Sequence, residues 1–359
     1  MALDPSQAAQ YRAVRSGAGI GRMLRPPVSG TVSMKHLRVC DPLTRSTPVE
    51  TRLGPMHARR RLDIEREQEA KAVRQGRLRF LHIENISLKQ MMIEVILRAT
   101  GTYWWGHANA GKVQLRRNDV RLPRLPGAFD GFTILHLSDL HADMSASAVE
   151  RLAELARGLE YDLCVMTGDY RGRTYGDCGP CLEGVARVRE VLHSDIYAVL
   201  GNHDPIAIVP ALEALGIRVL LNENVTIKRG ADTIYLAGVD DAHFYHTDDI
   251  EKAAAQIPEG RAKILLSHTP EIYESAAQAG FDLMLSGHTH GGQICLPGGI
   301  PIVLEADLPR AFAGGAWRHA GMAGYTSVGA GSCLVPVRFN NRPEITLHKL
   351  VLRETQDNP

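Results

Sequence analysis

Five apolar runs between Phe132 and His290 do most to limit the folds open to this chain. They read FTILHLSD (132–139), YDLCVMTGD (161–169), IYAVLGNHD (196–204), AKILLSHTP (262–270) and FDLMLSGHTH (281–290). Stretches with helical patterning separate them, and strands alternating with helices indicate an α/β domain. Ser147 to Glu150 form a capping box that predicts a helix running to Leu159. GVARVREVLH (184–193) and ALEALG (211–216) are further helix candidates, and additional strands are expected at 217–238 and 324–352.

Each run ends in side chains able to hold a metal. They are Asp139 and His141, then Asp169, then Asn202 and His203, then His268, then His288 and His290. In open α/β sheets the ligand crevice lies beyond the carboxyl ends of the strands, and five such endings in a row are hard to attribute to chance. Oxygen and nitrogen donors without thiolate suit Mn, Fe, Co, Ni or Zn in an open catalytic site. The donors are too many for one tetrahedral zinc. They fit two ions sharing a carboxylate, and ions roughly 3.5–4 Å apart suit in-line displacement at phosphorus. Gly287, Gly291 and Gly292 bend the last segment, so His288 and His290 can aim at one ion or at two neighbouring ones.

Composition narrows the function further. Lys and Arg total 41 against 40 Asp and Glu, a net charge of +1, which gives no electrostatic case for nucleic acid. A hydrophobic content of 44% supplies ample core. Six cysteines in a chain this long do not form a disulfide framework. There is no secretory h-region and no run of eighteen apolar residues, so a cytoplasmic location is expected.

Residues 1–55, with eight Lys/Arg against three Asp/Glu and no periodicity, read as disordered or as the product of a start codon upstream of Met56. Residues 56–118 read as a helical extension. Its first part, RRRLDIEREQEAKAVRQGR, reads as a charged helix whose arginine run is a solvated face, with Glu67 and Lys71 at a favourable spacing. Its second part, 83–101, reads as a helix apolar around most of its circumference, with Ser87, Gln90, Glu94 and Arg98 as a narrow polar stripe. Tyr103, Trp104 and Trp105 follow and are expected to wedge this arm against the main domain, the bilayer interface being the alternative. The main domain is placed at 119–353, opened by a proline-rich lead, with 354–359 as a tail.

The ordered set DLH, GD, GNHD, SH and GHTH resembles the calcineurin-like metallophosphoesterase superfamily, over roughly residues 130–352. GHTHGGQICLP and PVRFNNRPEITLHKL look most like the branch with YkuE- and YaeI-type phosphodiesterases and a UDP-2,3-diacylglucosamine pyrophosphatase. The resemblance implies a four-layer αββα sandwich and a dinuclear centre of divalent ions, manganese favoured. Asp139, His141 and His290 would hold one ion and Asn202, His268 and His288 the other, with Asp169 bridging. A hydroxide between the ions would be the nucleophile. His203 would give a hydrogen bond or proton to the phosphate or leaving oxygen, oriented by Asp204. The substrate would be a small or lipid-linked phosphodiester or pyrophosphate, with a phosphomonoesterase or cyclic-nucleotide phosphodiesterase as the rival and a non-catalytic scaffold disfavoured by the intact set. Many relatives carry a hydrophobic anchor before DLH, and this sequence has none there.

Other signals carry less. CGPC (178–181) copies a redox motif but reads as an incidental loop pair. His136 reads as a core histidine. Arg171 and Arg173 either clamp phosphate or solvate a loop. His243 and His246 read as part of a polar turn, the border of the substrate cleft being the alternative.

Overall fold

The computed structural model describes residues 47–77 and 86–352. The strands, in chain order, are β1 (Gln114–Leu122), β2 (Thr133–Leu137), β3 (Leu163–Met166), β4 (Ile196–Ala198), β5 (Ile217–Val219), β6 (Glu223–Arg229) and β7 (Asp232–Gly238). Then come β8 (Lys263–Leu266), β9 (Leu283–Ser286), β10 (Cys295–Leu296), β11 (Ile300–Pro301), β12 (Gly315–His319), β13 (Met322–Thr326) and β14 (Glu344–Leu352). They build two six-stranded sheets, β1-β14-β2-β3-β4-β5 and β12-β13-β9-β8-β7-β6, and a small β10-β11 hairpin.

Alternation along the strands sets the layers. Ile134, Leu163 and Val165 of the first sheet meet Ile264, Leu266, Leu283 and Leu285 of the second in one apolar core. Their neighbours Leu135, Leu137, Cys164 and Met166 face the other way, onto Leu152, Leu182, Val185 and Leu212 of the helices Ala146–Arg157, Gly179–Arg189 and Val209–Ala214. Leu265 and Met284 face outward on the second sheet, onto Ala253 and Ala276 of the helices Ile250–Ala254 and Tyr273–Gln278. Helices, sheet, sheet and helices make the expected αββα sandwich, because side chains one apart on a strand must serve opposite faces.

Several details differ from expectation. The helix predicted from Ser147 is capped by Ser145, whose Oγ accepts from the Ala148 amide at 3.3 Å. A domain start at 119 falls inside β1, which pairs in parallel with β14 from Gln114 onward. Its sequence, QLRRNDVRL, hides this because an edge strand exposes polar side chains. Disorder does not extend through 1–55, since Thr47–Leu53 is helical and buries Val49 and Leu53 in the core. Its Arg52 pairs with Glu213 at 2.7 Å and Glu223 at 2.8 Å. The readings of residues 1–46, 78–85 and the tail lie outside the described residues, as does the Lys71 side chain.

The arginine run is not simply a solvated face either. In the helix Pro55–Arg77, Arg61 is fully buried. Nη1 meets Asp240 Oδ1 at 2.5 Å, Nη2 donates to the Asp204 carbonyl at 2.6 Å, and the guanidinium lies 4.0 Å over the Tyr245 ring. The next helix, Ile86–Ala99, packs only in part. Ile93 and Leu97 meet Tyr103, Val335, Val337 and Phe339, while Met91, Met92, Val95 and Ile96 stay exposed. Tyr103 is the one buried member of its aromatic trio; Trp104 and Trp105 are exposed, although the Trp105 ring meets Phe339 at 5.2 Å.

Candidate metal centre

The polar residues after β2, β3, β4, β8 and β9 converge at one end of the sandwich, where the two sheets meet. Asp139 follows β2 and Asp169 follows β3 from the first sheet, while His268 and His288 follow β8 and β9 from the second. Asp169 Oδ2 lies 3.8 Å from His141 Nε2 and 3.4 Å from His268 Nε2, between two groups of side chains. In one group, His141 Nε2 is 3.0 Å from His290 Nε2, which is 3.6 Å from Asp139 Oδ1. In the other, His288 Nδ1 is 3.2 Å from His268 Nε2 and 3.1 Å from Asn202 Oδ1. All seven sequence-predicted donors are therefore brought together, and His288 and His290 fall in different groups.

Bent backbone gets them there. Asp139, His141, Asp169, His288 and His290 all have positive φ, between 39° and 72°. Such conformations are costly outside glycine and gather at functional sites. Two glycines admit the approach. A Cβ on Gly287 would sit 2.3 Å from Asp139 Oδ2, and one on Gly201 would sit 2.2 Å from Asp169 Oδ1.

Partners on the far side of each ring decide which nitrogen faces inward. His141 Nδ1 is 2.8 Å from the Arg171 carbonyl and His268 Nδ1 is 2.7 Å from the Thr167 carbonyl. His288 Nε2 is 3.0 Å from the Glu305 carbonyl. A carbonyl only accepts, so each of these nitrogens carries a proton, and the inward nitrogen is the one left to bind an ion. Carboxylates, imidazoles and an amide oxygen so arranged fit divalent ions. His290 is different. Arg338 Nη2 lies 2.8 Å from its Nδ1 and can only donate, which puts the proton of the neutral ring on Nε2, facing His141. An ion at that nitrogen requires the opposite tautomer, against Arg338.

Electrostatics follow from burial and crowding. Burial raises the Asp139 carboxyl, while His268 and its neighbouring histidines hold Asp169 well below the usual range despite its own burial. Burial works to lower His268, but Asp169 pushes it up to about 10, with a second proton on Nε2 that an ion there would displace. His203 is lowered to about 4 by burial and is neutral.

His203 stands beside both groups, its Nε2 3.9 Å from Asp169 Oδ2 and its ring perpendicular to that of His141. Its amide donates to Asp169 Oδ1 at 3.0 Å. Asp204 does not orient this ring. The Asp204 carboxylate accepts from the amides of Asp169 at 2.7 Å, Tyr170 at 2.9 Å and Gly201 at 2.9 Å, so it shapes the loops instead. The His203 ring has the Thr174 hydroxyl 3.2 Å from Nδ1 and the Cys333 thiol 3.9 Å from Nε2 as partners.

Arg171 is buried and holds loop backbone, donating to the carbonyls of His203, Thr174 and Gly176, whereas Arg173 is exposed. His243 lies in the expected turn, but its ring also sits tilted 4.1 Å from that of His288, at the metal centre, while Nδ1 meets Glu271 Oε2 at 2.8 Å. His246 does belong to a turn, bonded to the Ala242 carbonyl. CGPC is not in a plain loop, because Cys178 caps the helix Gly179–Arg189, but both thiols are buried. His136 is a core histidine, bonded to Thr167 Oγ1 at 2.9 Å.

The calcineurin-like phosphoesterase family matches residues 132–292, the span from β2 through the His290 loop. The metallophosphoesterase YkoQ of Bacillus subtilis is 31% identical over 256 residues, covering 68% of this chain and 93% of that one. The chain belongs to the calcineurin-like phosphoesterase family. Among other family members, the phosphodiesterase YaeI of Escherichia coli is 30% identical, over 61% of this chain and 82% of its own. A transmembrane protein with a metallophosphoesterase domain from Bos taurus is 32% identical over 64% of this chain, which spans only 55% of that protein. Among the described residues of this family member, no helix is long and apolar enough to cross a membrane.

Proposed function

We propose that this metallophosphoesterase hydrolyses a phosphodiester or pyrophosphate bond at a two-ion centre. The observation that carries this reading is Asp169, whose Oδ2 stands between the His141 and His268 groups at 3.8 and 3.4 Å. Asp139 and His141 would hold one ion, joined by His290 in the tautomer that Arg338 opposes, Asn202, His268 and His288 the other, and Asp169 both. Two divalent ions there, manganese first among the candidates, would supply Lewis-acid charge to the phosphoryl oxygens and lower the pKa of coordinated water.

The chain's own part is positioning and hydrogen bonding. His203, neutral and flanked by the Thr174 hydroxyl, is placed to donate from Nε2 to a phosphoryl or leaving oxygen. Burial disfavours its imidazolium, which supports a hydrogen-bond role over outright proton transfer. Asp204 and Arg171 hold the loops that carry Asp169 and His203. A diester or pyrophosphate is preferred to a monoester on the likeness to YaeI, whose name is phosphodiesterase. The test strips the protein of metal, restores single metals, and assays a monoester, a diester, a nucleotide-sugar and a lipid-linked pyrophosphate. Metal-dependent turnover of a diester or pyrophosphate is expected. Faster turnover of the monoester under every metal would overturn the substrate class.

A further inference from the structure

Behind the His290 loop lies a second concavity of about 710 Å3, walled by Trp105, Gly299 and Pro301 and separate from the metal-ligand set. Lys112, Arg116, Arg310 and Arg342 line it, and all four are exposed. Its one lining carboxylate, Glu344, is buried and paired with Arg116 at 2.6 Å. The cavity is therefore cationic although the chain as a whole is nearly neutral.

Apolar edges flank the cavity on two sides. On the Trp105 side, Met91, Met92, Val95 and Ile96 of the arm are exposed, with Trp104 and Trp105 at 68% and 55%. On the Gly299 side, Leu296, Ile300, Ile302 and Val303 are exposed in and just after the β10-β11 hairpin. Phe339 and Asn340 tie the edges together. The Phe339 ring meets Trp105 at 5.2 Å, and the next residue, Asn340, donates to the Cys295 carbonyl at 2.8 Å. The segment after Val303 reaches the metal centre, where the Glu305 carbonyl receives His288.

We propose that this face docks on the surface of an anionic phospholipid bilayer, with headgroup phosphates at the cationic cavity and both apolar edges in the interface. Charge complementarity selects the anionic surface, since cations near such a surface are drawn to it. Tryptophan and flexible apolar side chains favour the interfacial layer, which imposes no shape on what enters it. Docking would bring the mouth of the metal centre to amphiphilic phosphoesters; only that consequence rests on the proposed hydrolysis.

The test is flotation of the full chain with vesicles of neutral phosphatidylcholine, or of phosphatidylcholine with phosphatidylglycerol. Co-flotation with the anionic vesicles, weakened by salt, is expected. Paired substitutions Trp104→Ser with Trp105→Ser, or Ile302→Ser with Val303→Ser, should each lower binding at least about tenfold. Arg310→Gln with Arg342→Gln should lower it more than about tenfold on anionic vesicles only. Bromine-labelled acyl chains should quench the tryptophan emission of the native chain, whose third tryptophan, Trp317, is buried. Hydrolysis of a soluble diester is assayed alongside, so that docking and catalysis fail or hold separately. The proposal is overturned by absent flotation, by equal binding to neutral vesicles, or by binding that survives the Trp104 and Trp105 pair. A native dimer that the same pair dissociates would also overturn it, since a second copy would then cover this face.

Discussion

Arg61 and Asp240 form an ion pair with Nη1 to Oδ1 at 2.5 Å, and neither side chain reaches solvent. Asp240 closely follows β7 of the second sheet, while the same guanidinium holds the Asp204 carbonyl at the end of the GNHD loop. Arg61→Ala leaves a buried carboxylate without its partner, which costs about 3–5 kcal/mol. Urea unfolding should show that loss, and adding Asp240→Asn should recover part of it. A single variant as stable as the native chain would show that the pair contributes nothing.

Asp169 stands between the two ligand groups, and His290 belongs to one. Asp169→Asn should lower the occupancy of both ions, whereas His290→Ala should chiefly lower one. Elemental analysis of each purified variant reads the difference directly. Two full ions in Asp169→Asn would rule out a shared ligand.

His203 lies beside the ligand groups without being assigned to either. His203→Ala should retain metal and fold but lose roughly 10²–10³ in turnover on a substrate with a poor leaving group, the size of one lost hydrogen-bond donor. Near-native rates on that substrate would remove His203 from the chemistry. Thr174→Val should produce a smaller loss, since it removes only the Nδ1 partner of the ring.

Deleting residues 1–55 strips Val49 and Leu53 from the core and Arg52 from Glu213 and Glu223. Two buried aliphatic side chains are worth roughly 1.5–3 kcal/mol each. A chain beginning at Met56 should therefore melt at least about 5 °C lower. An unchanged midpoint in calorimetry would mean that the Thr47–Leu53 helix adds nothing to stability.

Burial lowers His136 to about 3 and holds His348 well below its ordinary value. His136 is neutral when folded and titrates near 6.5 when unfolded, so its stability contribution is complete above that pH and is lost as pH falls toward 3; His348 acts in the same direction. His136 contributes a slope of about 1.4 kcal/mol per pH unit in that window. His136→Phe should lose its share of the slope between pH 6 and 4, measured by denaturant unfolding at each pH. A slope identical to that of the native chain would count against burial as the cause.

The sandwich and the ligand residues were legible because both follow from local pattern: apolar runs of strand length, ending in donors at a sheet's carboxyl edge. Arg338 and Arg61 were not. Arg338 holds His290 through the Nδ1 contact at 2.8 Å, yet it lies 48 residues away along the chain. Arg61 sits among charged neighbours on an amphiphilic helix, and its partner Asp240 is 179 residues downstream. Nothing in local periodicity distinguishes a buried arginine from the exposed ones next to it. The role that the resemblance implies for Asp204, orienting His203, is not what the carboxylate does: it turns to four backbone amides instead. Strand β1 was missed because its exposed edge obscures the apolar signal.

The Arg61 contacts also bear on the order in which the chain assembles. Among the described residues, its helix is one of the first elements to be synthesised, yet its long-range hydrogen-bond partners are 143 and 179 residues later. Closing loops of that length comes late, because their entropy must be met before the contact rewards it. The helix Pro55–Arg77 can complete these contacts only once the segment after β7 exists, and its docking fastens the GNHD loop to that segment.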